Sequence, residues 1–133
     1  MLLSRLGASG AFICAASAVS SIGRVEAEDE KLVVLARATR LRAGAAEGAA
    51  LRDLDGRTYA GATVDLPSLR VSALGVCIAM ATASGARGVE AAVVLNEGAF
   101  LESELDPLRE YAGAGVLVHH GGPNGTIGDT HST

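Results

Sequence analysis

The sequence predicts one α/β domain built on a mixed sheet, in the element order α-β-β-α-β-α-β. Three observations carry the prediction. Segments of helical periodicity are interleaved with short apolar runs. Two strand-like segments meet at Asp55-Gly56, a hairpin dipeptide. Val89–Asn96 is apolar along most of its length, as strands buried on both faces are. A chain of 133 residues fits one such domain.

The first helix is expected over Glu28–Ala43. Glu28, Asp29 and Glu30 lie in its first turn and arginines in its last, which complements the helix dipole. Leu32, Leu35, Ala36 and Thr39 form its apolar stripe, with Val34, Ala38 and Leu41 beside it, and Gly44 is the stop. Glu47–Leu54 and Thr58–Asp65 are the hairpin strands. Pro67 and Ser68 break the pattern and open a helix at Leu69 or Arg70 that runs to Ser84. That helix is apolar round nearly its whole circumference, which predicts burial under a sheet or between subunits. Leu101–Ala112 is a further amphipathic helix, with Pro107 an early interruption, and Val116–His120 is a short strand. Gly121–Gly125 is a turn, after which Thr126–Thr130 can pair back as an edge strand. The glycine-rich pieces lack the strand and helix context of a phosphate loop and read as turns.

Hydrophobic residues make up 49% of the chain and charged residues 20%, a globular balance. The net charge of −4 argues against nucleic-acid binding, which calls for clustered Lys and Arg. Arg37, Arg40 and Arg42 on the first helix read as a solvated face. Two cysteines, Cys14 and Cys77, make no disulfide framework and point to a reducing cytoplasm.

Residues 1–25 form a non-core N-terminal extension, and residues 26–133 the domain. Arg5, the small-residue apolar run Leu6–Val19 and Ala16-Ser17-Ala18 match a secretory signal. A start set too early, with initiation at Val25, and a flexible extension are the other two readings. The run is too short and too rich in Gly and Ser for a membrane span, and no membrane association is expected.

Gly48–Asp65 reads GAALRDLDGRTYAGATVD, an apolar helix follows, and GPNGTIGDT lies near the end. In this order the chain resembles the cytidine deaminase family from about Glu28 to Thr130. The resemblance implies a three-layer α/β/α cytidine-deaminase-like mixed sheet. It also implies roles for two residues. The family's second hairpin strand ends in N-V-E, whose Asn and Glu hold the nucleoside ribose. Thr63-Val64-Asp65 stands there in this chain, so Thr63 and Asp65 are the candidate substrate-binding residues.

The family's zinc sits on C-A-E at the second helix and P-C-x-x-C at the third. Thiolates hold the metal, the metal supplies hydroxide near neutral pH, and the Glu shuttles protons. Family spacing places the first Cys at Leu74 and the Glu at Val76. There is no Asp or Glu between Asp65 and Glu90 and no cysteine after Cys77, so one chain cannot build a three-thiolate site. Cys77 lies between Val76 and Ile78 and reads as a buried, inert thiol. His119 and His120, adjacent on a strand, point to opposite faces and read as surface histidines, with His131 in a flexible tail. Glu102, Glu104 and Asp106 complement a helix dipole.

The expectation is therefore a cytidine-deaminase-like protein that has lost zinc-dependent deamination. No catalytic residue, metal ligand or cofactor is assigned. It would act as a non-catalytic binding module in a homo-oligomer, with a protein or a pyrimidine nucleoside as its partner. The alternative is an active cytidine deaminase-type hydrolase acting on a pyrimidine nucleoside, which would require zinc. A third reading is an exported α/β protein whose likeness to the family is accidental.

Overall fold

Helix α1 (Ala27–Ala43) ends at Gly44, whose φ of 64° allows the left-handed turn that closes it. The computed structural model describes residues 26–133, so the expectations for residues 1–25 and for Cys14 lie outside the described residues. Asp29, Leu32 and Ala36 are the buried face of α1. Leu35 turns outward, against the sequence expectation, and Val34 and Leu41 are well exposed.

The hairpin forms as the Asp-Gly signal predicts. Strands β1 (Gly48–Asp53) and β2 (Thr58–Ala62) pair antiparallel, with Arg52 opposite Thr58. Gly56 takes φ 86°, and Asp53 Oδ1 accepts from the backbone N–H of Asp55 and of Arg57, each at 2.9 Å. The turn is thus held by a carboxylate as well as by the glycine.

Beyond Ala62 the chain departs from the expected path. The second strand does not continue to Asp65, and no helix opens at Leu69 or Arg70. Strands β3 (Val64–Leu66) and β4 (Leu69–Val71) form a small hairpin of their own around Pro67 and Ser68. Helix α2 (Ala73–Ala83) begins only where Ser72 can cap it, its Oγ accepting from the Gly75 N–H at 3.0 Å. Strand β5 (Val89–Leu95) follows, then a 3₁₀ turn over Glu102–Leu105 and helix α3 (Asp106–Ala112). Pro107 does not interrupt that helix. It lies in the first turn, where its missing N–H has no partner to lose. Glu104 Oε2 accepts from the Leu101 N–H at 3.1 Å, which accounts for one of the acids ahead of α3. Strands β6 (Leu117–Gly121) and β7 (Ile127–Ser132) close the sheet.

The sheet order is β2-β1-β5-β6-β7, with β5 and β6 parallel and every other pair antiparallel. Alternation along the strands divides the core in two. Ala50, Ala91, Val93 and Leu95 face Leu32 and Ala36 of α1. Ala49, Leu51, Ala92, Val94 and Val118 face Ala73, Leu74, Cys77 and Ala81 of α2, with Leu105 and Leu108 beyond. This is the three-layer α/β/α arrangement. Burying each Leu or Val contributes about 1.5–3 kcal/mol. Small residues set the layer spacing. A Cβ on Gly48 would lie 2.3 Å from the Ala36 carbonyl oxygen, so α1 rests against bare backbone there. Among the described residues, no helix is long and apolar enough to cross a membrane.

Candidate functional site

At the carboxyl ends of the parallel strands β5 and β6 the chain leaves the sheet, and a ligand crevice is expected at such an edge. Asn96 follows directly after β5, and its backbone N–H donates to Gly121 at the end of β6 (3.0 Å). Its side-chain Nδ2 donates to Glu47 Oε2 at 3.2 Å. Glu47 stands immediately before β1, and its Oε1 lies 3.4 Å from both Thr63 Oγ1 and the Ala73 N–H at the start of α2. Glu47, Thr63 and Asn96 line a pocket of about 420 Å³ together with Arg40, Ala46, Glu97 and Pro123.

Thr63, a candidate from the sequence, lines this pocket. Its hydroxyl also accepts from the Glu47 N–H at 2.9 Å, and its own N–H donates to the Glu47 carbonyl, which fixes the break between β2 and β3. Asp65 is not brought to the same place. It lies on the exposed small hairpin, 78% exposed and paired with Arg70 at 3.4 Å. Arg40, read from sequence as part of a solvated face, is half-buried instead. Its Nη1 donates to the Ala45 carbonyl at 3.1 Å, while its Nε is shielded from solvent with no protein partner. Sequence reasoning missed Arg40, Glu47 and Asn96. The available signal was positional, since Glu47 precedes GAAL and Asn96 ends the apolar run of β5. Chemically, the pocket offers a guanidinium N–H, an amide, a hydroxyl and two carboxylates. Such a set holds a polar ligand bearing both hydroxyl and carbonyl groups.

The residues that the family resemblance places at a zinc site do not fit a metal. Leu74 is buried and Val76 half-buried on α2. A Cβ on Gly61 of β2 would lie 2.9 Å from Val76 Cγ1, so this side chain packs on the hairpin. Cys77 is fully buried within the core, and burial pushes its thiol up to about 12 despite a backbone hydrogen bond from Gly61. Deprotonation, which metal ligation demands, is therefore disfavoured there. No zinc-dependent step is derived for these residues.

His119 and His120 do point to opposite faces of β6, but they are not surface histidines, being 4% and 8% exposed. His119 Nε2 lies 2.9 Å from Asp29 Oδ2, and its Nδ1 3.0 Å from Thr130 Oγ1. His120 packs on the other side, 2.7 Å from Asn96 Oδ1 and 3.0 Å from Asp129 Oδ1. His131, expected in a flexible tail, belongs to strand β7. Burial pushes the Asp129 carboxyl up, yet the hydrogen bonds and charges of His120 and His131 hold it below the ordinary range on balance.

Residues 25–125 match the model of a family described as cytidine deaminase-like. Among solved structures, the chain is similar to cytidine deaminase from Mycobacterium leprae, with a TM-score of 0.63 and 19% identity over 80% of this chain and 94% of that one. It is also similar to cytidine deaminase from Burkholderia pseudomallei, with a TM-score of 0.61 and 23% identity over 77% and 89%. A third is cytidine deaminase from Mycobacterium tuberculosis, with a TM-score of 0.61 and 21% identity over 71% and 86%. At these identities the likeness is one of fold. No curated protein matches the chain at a significant level.

Proposed function

We propose, from the premise that this chain belongs to the cytidine deaminase-like family, that it keeps the fold, lacks zinc-dependent deamination and works as a binding module for a pyrimidine nucleoside. The carrying observation is the first turn of α2. Where the resemblance places a thiolate and a proton-shuttling carboxylate, Leu74 and Val76 pack into apolar surroundings. The nearest thiol, Cys77, is buried and protonated. Metal-activated hydroxide needs anionic or imidazole ligands, and these positions supply none.

The pocket supports the binding half of the reading. Thr63 lines it, Glu47 can accept from ligand hydroxyls, and the Arg40 guanidinium stands in its wall. Asp65 takes no part in this account, because its carboxylate is spent on the exposed hairpin. A homo-oligomer in the cytoplasm is part of the proposal. Ala79 is exposed on α2, with Met80 half-buried beside it, and Leu66 and Leu69 of the neighbouring hairpin are 55% and 53% exposed. An apolar surface of this kind is what a second copy would cover.

One observation favours the hydrolase alternative. Glu47 reaches the N-terminus of α2 from outside that helix, so a carboxylate does stand beside the pocket. The deciding experiment is a cytidine and uridine assay on untagged protein supplemented with zinc, paired with calorimetric titration of the same nucleosides. Binding without turnover is expected. Turnover abolished by Glu47→Gln would replace the binding module with the hydrolase, and absence of both binding and turnover would overturn the nucleoside reading.

A further inference from the structure

The amide of Asn96 fixes the tautomer of His120. Its Nδ2 must donate to the Glu47 carboxylate, which can only accept, so its Oδ1 faces His120 Nε2 at 2.7 Å. Nε2 therefore carries the proton. In a neutral imidazole the other nitrogen, Nδ1, is then an acceptor, and it faces another acceptor, Asp129 Oδ1, at 3.0 Å. Two lone-pair atoms at this distance need a positive centre between them, either a second proton on the imidazole or a bound cation.

His131 completes the cluster. Its Nε2 lies 2.7 Å from Asp129 Oδ2 and is shielded from solvent with no other polar partner. The register explains the convergence. Asp129 stands opposite His120 and His131 opposite Val118, so all three side chains leave the β6–β7 ladder on one face. Phe100 packs against both imidazoles, with ring centroids 5.3 and 4.9 Å away, and covers the cluster with apolar surface. One donor atom from each of the three residues lies within 4.8 Å of the others.

We propose that His120 Nδ1, Asp129 and His131 Nε2 bind a divalent first-row transition cation, with zinc as the reference ion. Two imidazoles and one carboxylate form a ligand set suited to such ions. Tetrahedral zinc holds its nitrogen and oxygen donors at about 2.0–2.2 Å, hence about 3.4 Å from one another. A cation would open the His–Asp contacts, 3.0 Å to Oδ1 and 2.7 Å to Oδ2, by less than 1 Å and draw together the widest donor pair, which already lies within 4.8 Å. Asn96 supplies the outer-shell hydrogen bond that metal-bound histidines usually make. Asp129 is 53% exposed, which leaves an entry path and a fourth position for water. The site is separate from the α2 positions that the family resemblance assigns to zinc. It does not depend on the nucleoside proposal, although Asn96 links it to the pocket.

The test uses the untagged full chain, stripped with EDTA and titrated with Zn²⁺ by calorimetry and with Co²⁺ by visible absorption. One equivalent per chain is expected, with a Co²⁺ spectrum showing nitrogen and oxygen ligation. Zn²⁺ should also raise the melting temperature, since it binds the native state. His131→Gln and Asp129→Asn, both on the edge strand, should each lower affinity by more than about 10-fold, and Asn96→Ala by about 10-fold. Circular dichroism verifies that each variant is folded. The proposal is overturned if wild type shows no saturable binding below about 100 μM, or if the folded variants bind as tightly as wild type.

Discussion

His119 on β6 and Asp29 on α1, 90 positions apart in the chain, meet at 2.9 Å between helix and sheet. The other Asp29 oxygen accepts from Arg52 Nη2 of β1 at 2.7 Å. Arg52 Nε in turn donates to Glu90 of β5 at 2.6 Å. One carboxylate thus ties the first helix to two strands in a largely dry layer. Removing it takes the shared acceptor from Arg52 Nη2 and His119 Nε2, although Glu90 and the Glu28 carbonyl still hold the guanidinium, and losing one partner of a buried pair costs more than the pair contributes. Asp29→Ala should lower stability by about 3 kcal/mol in urea denaturation. Asp29→Asn, which keeps an acceptor oxygen, should cost less.

The close approach of α1 to β1 gives a second prediction. A Cβ on Gly48 would meet the Ala36 carbonyl oxygen at 2.3 Å and Arg40 Cβ at 2.8 Å. Neither atom is the end of a flexible side chain, so α1 must move outward. Gly48→Ala should destabilise by about 1–3 kcal/mol. Because Arg40 and Glu47 flank this contact, nucleoside affinity measured by calorimetry should fall as well.

Local chemistry made much of the fold legible in the sequence. Asp55-Gly56, Gly44 and the apolar β5 run each specify their structure from neighbours in the chain. The small β3–β4 hairpin was not legible, because Pro67 and Ser68 suit a helix start as well as a turn, and Ser72 became the cap instead. The site was legible only in part. Thr63 was reached through the family resemblance, whereas Asp65 was carried off by the hairpin. Glu47, Asn96 and Arg40 have no motif. They come together through contacts such as Glu47 to Asn96, 49 positions apart, which no local pattern records. The histidines were misjudged for the same reason, since their partners Asp29 and Asn96 belong to other elements.

Cys77 provides a third prediction. With its thiol pushed up to about 12 by burial, the thiolate at pH 8 is about one part in ten thousand, and the side chain is fully enclosed. In a Cys14→Ser background, Ellman's reagent should not label the native protein on the timescale of its reaction with free thiol. Labelling should instead follow the urea unfolding curve. Rapid labelling of the folded chain would show that the α2 core is open, which would remove the argument against thiolate chemistry there.

The last prediction concerns acid. Burial pushes the Asp53 carboxyl up, but the Arg57 N–H, the Tyr59 hydroxyl at 2.9 Å, the Asp55 N–H and the Arg57 charge together hold it below the reference value of 3.8. Because the folded value is the lower one, the native state favours the ionised form, and unfolding takes up a proton once the pH drops below 3.8. The stability this group contributes is complete above that value and is lost as the pH falls through the lowered folded value. Urea midpoints of wild type should therefore fall steeply below pH 4. Asp53→Asn should be less stable at pH 7, since its amide cannot accept all four of these donors. It should also show a shallower acid slope, because a titrating group has been removed from the hairpin. Parallel acid slopes for the two proteins would locate the sensitivity elsewhere.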